Sequence, residues 1–337
     1  MIEFFKNISL KDYNTFGVDV KAKQFISVDS YEDIVILVND SPKKIKNALI
    51  IGECSNMLFT KNVNSPIIKY TYDEIHIFEK IRSKLILRVG AGCIWDDLVE
   101  YCVSKSFYGL ENLSGIPGTV GASAVQNIGA YGDEAGNHIS AVEVLNIETG
   151  DEETLFNEDL AFGYRDSIFK HEYKDKYIIL AVHFNLSARA KYNLDYGNLK
   201  EEVEKVGLSL KNVRQTILNI RNSKLPDPKE LGSAGSFFKN PIVSEDELKR
   251  LLAIDSNIVH FPHGDKGMYK IASGYLIDKA GLKGYRKGDA GVHEKQALVI
   301  VNYGKASGKE LFELSKYVQK VVFDKYQINI EPEVLIY

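Results

Sequence analysis

Gly115-Ile-Pro-Gly-Thr-Val-Gly-Ala-Ser-Ala-Val-Gln-Asn-Ile-Gly-Ala-Tyr-Gly132 is the stretch on which the reading of this chain turns. It holds five glycines and no charged residue, in a sequence that is 26% charged. Glycine lets backbone approach a ligand closely and takes positive φ at little cost. Pro117 fixes one turn, and Gln126 and Asn127 add side-chain amides. Main-chain N–H groups in such a run satisfy a flat polar ring or a diphosphate without any formal charge. A glycine-rich surface loop with no ligand looks the same, so both readings stand on this stretch alone.

Outward from it, the 337 residues exceed one ordinary core and predict two or three domains. A hydrophobic content of 45% with only 8 prolines describes a soluble globular protein. The net charge of −4 gives a nucleic-acid surface no compositional support. No apolar run is long enough for a bilayer span, and Met1-Ile-Glu-Phe-Phe-Lys6 lacks the features of a secretion signal. Cys54, Cys93 and Cys102 show neither disulfide nor zinc spacing, so a reducing cytoplasm is expected. Seven scattered histidines without an HExxH pattern argue against a metal site.

Lys23–Val28 reads as a strand, and Ser30 with Asp33 as a capping box for a helix through Val38. Ala48–Ile51 is an apolar strand running into Gly52-Glu-Cys-Ser-Asn56. That is a plausible phosphate-binding turn, although a plain strand-to-strand turn has the same pattern and no GK[ST] follows. Lys84–Val89 is a strand, followed by Gly90-Ala-Gly92 without the third glycine of a dinucleotide cradle, then a helix from Ile94 to Ser104. Strands are expected at Ala141–Ile147 and Tyr177–Leu186, and a short helical turn after Asn157. A helix spans Leu210–Arg221 and stops before Leu225-Pro-Asp-Pro228. Ser244/Glu247 caps a helix through Leu252, a strand lies within Val292–Val301, and Ser307/Glu310 caps a long helix to Tyr326. The segment Ile328–Tyr337 closes the chain as a strand. Strands dominate with brief helices, which predicts an α+β arrangement rather than strict βαβ alternation.

Three reactive groups sit in unusual surroundings. Arg165, between Tyr164 and Asp166, suits a carboxylate held by two parallel hydrogen bonds, or a surface ion pair with Asp166. Ser236, after Gly235 and before two phenylalanines, is either a hydroxyl in a dry pocket or an ordinary turn serine; the G-x-S-x-G elbow is absent. Glu333, among apolar neighbours, is either partnered or functional, with Glu331 equally eligible. Arg221, Lys224, Lys229, Lys239, Asn240 and Gln296 surround these, and lysine and arginine suit a diphosphate.

Taken in order, Tyr13-Asn-Thr-Phe-Gly17, Gly52-Glu-Cys-Ser-Asn56, Ile116-Pro-Gly-Thr-Val-Gly121, Gln126-Asn-Ile-Gly-Ala-Tyr-Gly132, Gly163-Tyr-Arg-Asp-Ser167, Gly235-Ser-Phe-Phe-Lys-Asn-Pro241 and Glu331-Pro-Glu-Val334 resemble the family of UDP-N-acetylenolpyruvoylglucosamine reductases over essentially the whole chain. Tyr196-Gly197 and Asn222-Ser-Lys-Leu-Pro-Asp-Pro-Lys229 resemble the subtype with a tyrosine-bearing loop. The resemblance implies a vanillyl-alcohol-oxidase-type FAD-binding fold in two subdomains plus an α+β substrate-binding domain. The expected division is 1–70 with 328–337, then 71–215 including the loop 190–200, then 216–327 for substrate. By the same resemblance FAD is held at Gly52, Glu53, Ser55, Asn56, Ile116, Pro117, Gly118, Gly121, Ala122, Gln126, Asn127, Gly129, Ala130 and Tyr131. Arg165, Ser236 and Glu333 are implied as catalytic, and Tyr196, Lys224, Asn240 and Gln296 as substrate-binding. Arg221 joins the last group on spacing. Cys54 stands where a glycine is usual, and Leu335 where many relatives carry a basic residue.

The implied chemistry is NADPH-dependent reduction of UDP-N-acetylglucosamine enolpyruvate through FAD, by a cytoplasmic monomer that contributes to cell-wall synthesis. Two other readings compete. A flavin-dependent oxidase of the same fold would normally carry a histidine or cysteine for covalent flavin in its cofactor loops, where Cys54 is the sole candidate. A non-catalytic nucleotide-sugar-binding protein has no need to keep all three reactive residues.

Overall fold

The computed structural model describes residues 1–45, 47–264 and 266–337. Packing divides them into two units. One comprises Met1–Ile8, Ala22–Glu53 and Val63–Ser223, and the other Ser9–Lys21, Cys54–Asn62 and Lys224–Tyr337.

The first unit holds two sheets. One runs in the order Ile2–Ser9, Lys21–Val28, Val63–Tyr70, Leu49–Ile51, the last three strands being parallel. Helix Tyr31–Asp40 begins where expected, with the Ser30 hydroxyl accepting from the Asp33 amide. The other sheet is antiparallel, in the order Glu152–Phe156, Ile139–Asn146, Tyr177–Ser187, Lys84–Gly90, Ile75–Ile81. Its central strand is buried at nearly every position, because both faces are covered, and that accounts for its run of Ile, Leu, Ala and Val. Helix Trp95–Ser104 lays Trp95, Leu98, Val99 and Cys102 into this core, where Trp95 meets Phe184 edge-on. The Trp95 indole N–H donates to Leu113 O at 2.9 Å, so the one polar atom of the ring is satisfied. Gly90 and Gly92 belong to packing: a Cβ at either would overlap the Tyr70–Tyr72 backbone. Helices Leu199–Val206 and Leu210–Lys224 share a small core of Leu199, Val203, Val213 and Ile217.

The second unit has a sheet in the order Gly232–Ser236, Val299–Asn302, Ala290–Val292, Arg286–Lys287 and a smaller one in the order Ile242–Ser244, Met268–Ile271, His260–Pro262. The long helix Gly308–Tyr326 starts in the expected capping box, Ser307 with Glu310, and buries Leu311, Leu314, Val318 and Val322. The α+β class read from the sequence therefore describes both units.

Several expectations need correction. The closing segment is a strand only at Leu335–Ile336, parallel to Met57–Leu58, while around Pro332 it makes an isolated antiparallel bridge to Phe238. The glycine run is not all loop, since Val120–Gln126 is helical. Among the strands not foreseen, Ile2–Ser9 and Ile75–Ile81 are mostly exposed, so neither shows a strict apolar alternation.

Gly308 tests the packing of the second unit. A Cβ there would overlap the Phe59 carbonyl oxygen. Gly308→Ala is expected to lower stability by about 2–4 kcal/mol in urea unfolding, since backbone rather than a flexible side chain must yield.

Candidate active site

In the first unit the glycine run is organised by its short helix. Thr119 caps Val120–Gln126, its hydroxyl accepting from the Ala122 amide at 3.4 Å. Three backbone bonds sew this region to the turn after strand Lys84–Gly90. Trp95 N reaches Gly118 O at 3.0 Å, Val120 N reaches Cys93 O at 2.9 Å, and Gly121 N reaches Ala91 O at 2.9 Å. Gly121 is needed for that approach, because a Cβ would stand 2.9 Å from the Ala91 methyl. Gly52 rests on the same cap, where a Cβ would lie 2.5 Å from Thr119 Oγ1. Two stretches singled out separately in the sequence thus meet through one threonine. Glu53, next along, pairs with Lys69 at 2.8 Å.

The end of the run is a hairpin. Gly129–Ala130 pairs with Asp133–Glu134, and Tyr131 and Gly132 take the two central turn positions at φ +48° and +80°. Positive φ at both positions is the twist-matched hairpin turn, which usually carries Asn-Gly; tyrosine there is a strained choice. Arg165, at φ +56°, donates from Nη2 to Gly129 O at 2.6 Å. Asp166 bonds to His171 at 2.7 Å, and the turn is closed by the Gly163–Asp166 backbone pair. Asn127, at φ +45°, is consumed by the protein. Its amide donates to Glu134 Oε2 at 2.9 Å and Gly163 O at 2.8 Å, and its oxygen accepts from Gly136 N at 2.8 Å. Its side chain shapes the cradle, leaving only main chain for a ligand.

Asp96 anchors the start of the run. It accepts from Gly115 N at 2.6 Å and from Arg214 at 2.6 and 2.9 Å in a two-pronged pair. Burial pushes the Asp96 carboxyl up, but the guanidinium and the amide outweigh it and hold the group below its ordinary value. Arg221 lies against Gly115, with Nε 3.2 Å from where a Cβ would be. Burial lowers its hold on its proton, and among the described residues it makes no hydrogen bond or ion pair. Tyr196 is 52% exposed, its ring edge-on to Tyr131 at 5.9 Å. A flavin dinucleotide fits this unit. Glycines let backbone segments lie closer than any Cβ permits, and strained residues fix the path of the run.

In the second unit, Ser236 ends strand Gly232–Ser236 after Gly235 at φ +66° and pairs with Val299. Phe237 N donates to Leu298 O, and Glu333 N donates to Phe237 O, both at 2.8 Å. Lys239 N donates to Glu331 O at 2.8 Å. Ser236 and Glu333 are therefore carried on bonded neighbouring segments. The Ser236 side chain is half-buried, and among the described residues its hydroxyl makes no hydrogen bond. Of the two eligible carboxylates, Glu331 is exposed and Glu333 half-buried. Asn56 supports Glu333 from the side, donating to its carbonyl at 3.2 Å. Asn240 Oδ1 accepts from Ser273 N at 2.9 Å at the start of helix Ser273–Lys279, and Gln296 Oε1 would stand 3.2 Å from a Cβ at Gly274. Lys224 and the Leu335 side chain are exposed. Cys54 is buried at φ +46°, a conformation that glycine takes without cost, which accounts for a glycine preference at that place.

Sequence reading missed Thr119, Asp96, Arg214 and Asn112. Thr119 had a local signal, a capping residue before a helical run. The Asp96–Arg214 pair bridges distant residues and had none.

A family model described as an FAD binding domain matches residues 22–155. The one described as UDP-N-acetylenolpyruvoylglucosamine reductase, C-terminal domain, matches residues 227–337. The fold and these matches define an FAD-dependent oxidoreductase. Curated proteins named UDP-N-acetylenolpyruvoylglucosamine reductase align over nearly the whole chain. The Flavobacterium johnsoniae protein is 43% identical over 337 residues, 99% of each chain. The Bacteroides fragilis protein is 44% identical over 327 residues, covering 97% of this chain and 98% of its own. The solved Thermus caldophilus reductase superposes with a TM-score of 0.70 at 25% identity, over 100% of this chain and 99% of that one. This chain belongs to the UDP-N-acetylenolpyruvoylglucosamine reductase family.

Asp96 yields a pH test. Its stabilisation is complete above the ordinary aspartate value near ~3.9 and is lost as pH falls through the lower value it holds in the fold. Asp96→Asn removes the two-pronged pair from half-buried Arg214, leaving it Glu100 at 3.8 Å. It is expected to cost about 1–3 kcal/mol at pH 7 in urea unfolding, the gap from the wild type closing as pH falls below the ordinary aspartate range.

Proposed function

We propose that this protein, as a cytoplasmic monomer, reduces UDP-N-acetylglucosamine enolpyruvate to UDP-N-acetylmuramate with NADPH as the electron source. The observation that carries this reading is the main-chain Glu333 N to Phe237 O bond at 2.8 Å, which ties the segment of the half-buried Glu333 to the residue after Ser236, whose hydroxyl makes no hydrogen bond among the described residues. When bound, FAD would supply hydride transfer between NADPH and the terminal methylene of the enolpyruvyl group. Delivery there leaves a carbanion on the adjacent carbon, conjugated to the substrate carboxylate.

Each of the three reactive residues then has a role. Arg165 pairs with that carboxylate and offsets the charge developing on it. Glu333 polarises the same group as a hydrogen-bond donor, which requires its protonated form during that step. Ser236 gives the hydroxyl proton to the carbanionic carbon and is reprotonated from solvent; the carbanion is basic enough to take a proton from so weak an acid when the two are in contact. Gly52, Glu53, Ser55 and Asn56, with the run from Ile116 to Tyr131, hold the cofactor mainly through main chain. Lys224 and Arg221 meet diphosphate oxygens of the sugar nucleotide, while Tyr196, Asn240 and Gln296 contact the rest of it. Residues 1–70 with 328–337 and then 71–215 serve the cofactor, and 216–327 the substrate, with the helix Leu210–Lys224 crossing the last boundary.

Under anaerobic conditions the oxidised-flavin absorption should bleach with NADPH and return with the enolpyruvyl substrate. Ser236→Ala should still bleach, while its recovery slows by roughly 10²–10⁴-fold. Recovery at the wild-type rate would remove Ser236 as the proton donor. Recovery with oxygen alone would favour an oxidase.

A further inference from the structure

We propose that Asn112 is a positioning residue, whose single buried amide ties the loop carrying Tyr196 to the turn that ends the cofactor-binding run. The inference rests on the reading of Tyr196 as a substrate contact. Asn112 is 2% exposed, and its Nδ2 donates to Tyr131 O at 2.9 Å and to Asn193 O at 2.8 Å. A return bond closes the link, from Asn193 Nδ2 to Gly132 O at 3.1 Å. Only two residues, Leu194 and Asp195, separate Asn193 from Tyr196.

Asn112 stands on a rigid post. The turn Glu111–Leu113 is held by Gly109 N to the Glu111 carboxylate at 2.7 Å, Ser114 Oγ to Glu111 O at 2.6 Å, and the Trp95 indole to Leu113 O. What it holds on one side is strained, because Tyr131 keeps a left-handed backbone. On the other side Tyr192 and Leu194 pack with Tyr131 beside the core of the two helices that follow. The Tyr196 ring then meets Tyr131 edge-on, and a Cβ on Gly132 would be 3.3 Å from Tyr196 Cβ. The residue type is demanding. Two donors from one short planar group are what asparagine supplies; aspartate has none, serine has one, and glutamine is a methylene too long.

The holoenzyme of Asn112→Ser tests this. The KM for the enolpyruvyl sugar nucleotide should rise about tenfold. Flavin reduction by NADPH alone should change less than about twofold, because the hairpin pairs of Gly129–Ala130 persist. Adding the substitution to Tyr196→Ala should raise KM no further; a full additional rise would overturn the proposal. Amide hydrogen exchange over residues 192–199 should accelerate in Asn112→Ser and in Asn193→Ala, with Trp95 emission unchanged as a check on the post. Unaltered exchange would overturn the tie whatever the substrate. Should Tyr196→Ala leave KM unchanged, the substrate role of Tyr196 fails and the exchange result alone decides on Asn112.

Discussion

The seam between the Gly90–Cys93 turn and the Gly118–Gly121 segment is the constraint on which the cofactor-binding unit depends. Its backbone bonds fix the short helix Val120–Gln126, and with it the path of everything to Gly132. They also take up the first amides of that helix. Anion binding there must draw on the segment before the cap and on the side chains beside it. Gly121 and Gly52 are small for the same reason: each lets backbone lie against a neighbour at a distance no Cβ permits.

Much of the fold was legible because it is written in local chemistry. Ser30, Ser244 and Ser307 cap the helices they were expected to cap. The buried central strand announced itself by its apolar run. What escaped was either solvated or distant. Ile2–Ser9 is exposed at most positions and carries no burial pattern, and no spacing rule links Asp96 to Arg214. The final segment misled because its apolar residues suggest one strand, while its partners change along it, from an isolated bridge at Phe238 to the short pairing of Leu335–Ile336.

The site was legible in composition more than in detail. Glycine content, two lone amides and a serine before two phenylalanines singled out the candidate stretches. Roles within them needed coordinates. Asn127 builds the cradle with its whole side chain, and Asn56 supports the main chain of Glu333. Sequence distinguishes neither from a ligand contact, because an amide that shapes a site and one that touches its occupant are the same residue type.

The pairing of Leu335–Ile336 with Met57–Leu58 has a bearing on how the protein is made. Thr60 and Tyr337 add further bonds to it, through the backbone at 2.8 Å and the threonine hydroxyl at 2.8 Å. The second unit thus combines segments synthesised early, Ser9–Lys21 and Cys54–Asn62, with the much later Lys224–Tyr337. At about 5–20 residues per second, the early pieces wait on the order of tens of seconds on the ribosome. Phe16 and Phe59, both fully buried in the finished structure, spend that interval without their final neighbours. Assembly of this unit waits until the segment Lys224–Tyr337 has been made, and the nascent chain needs protection from aggregation over that interval.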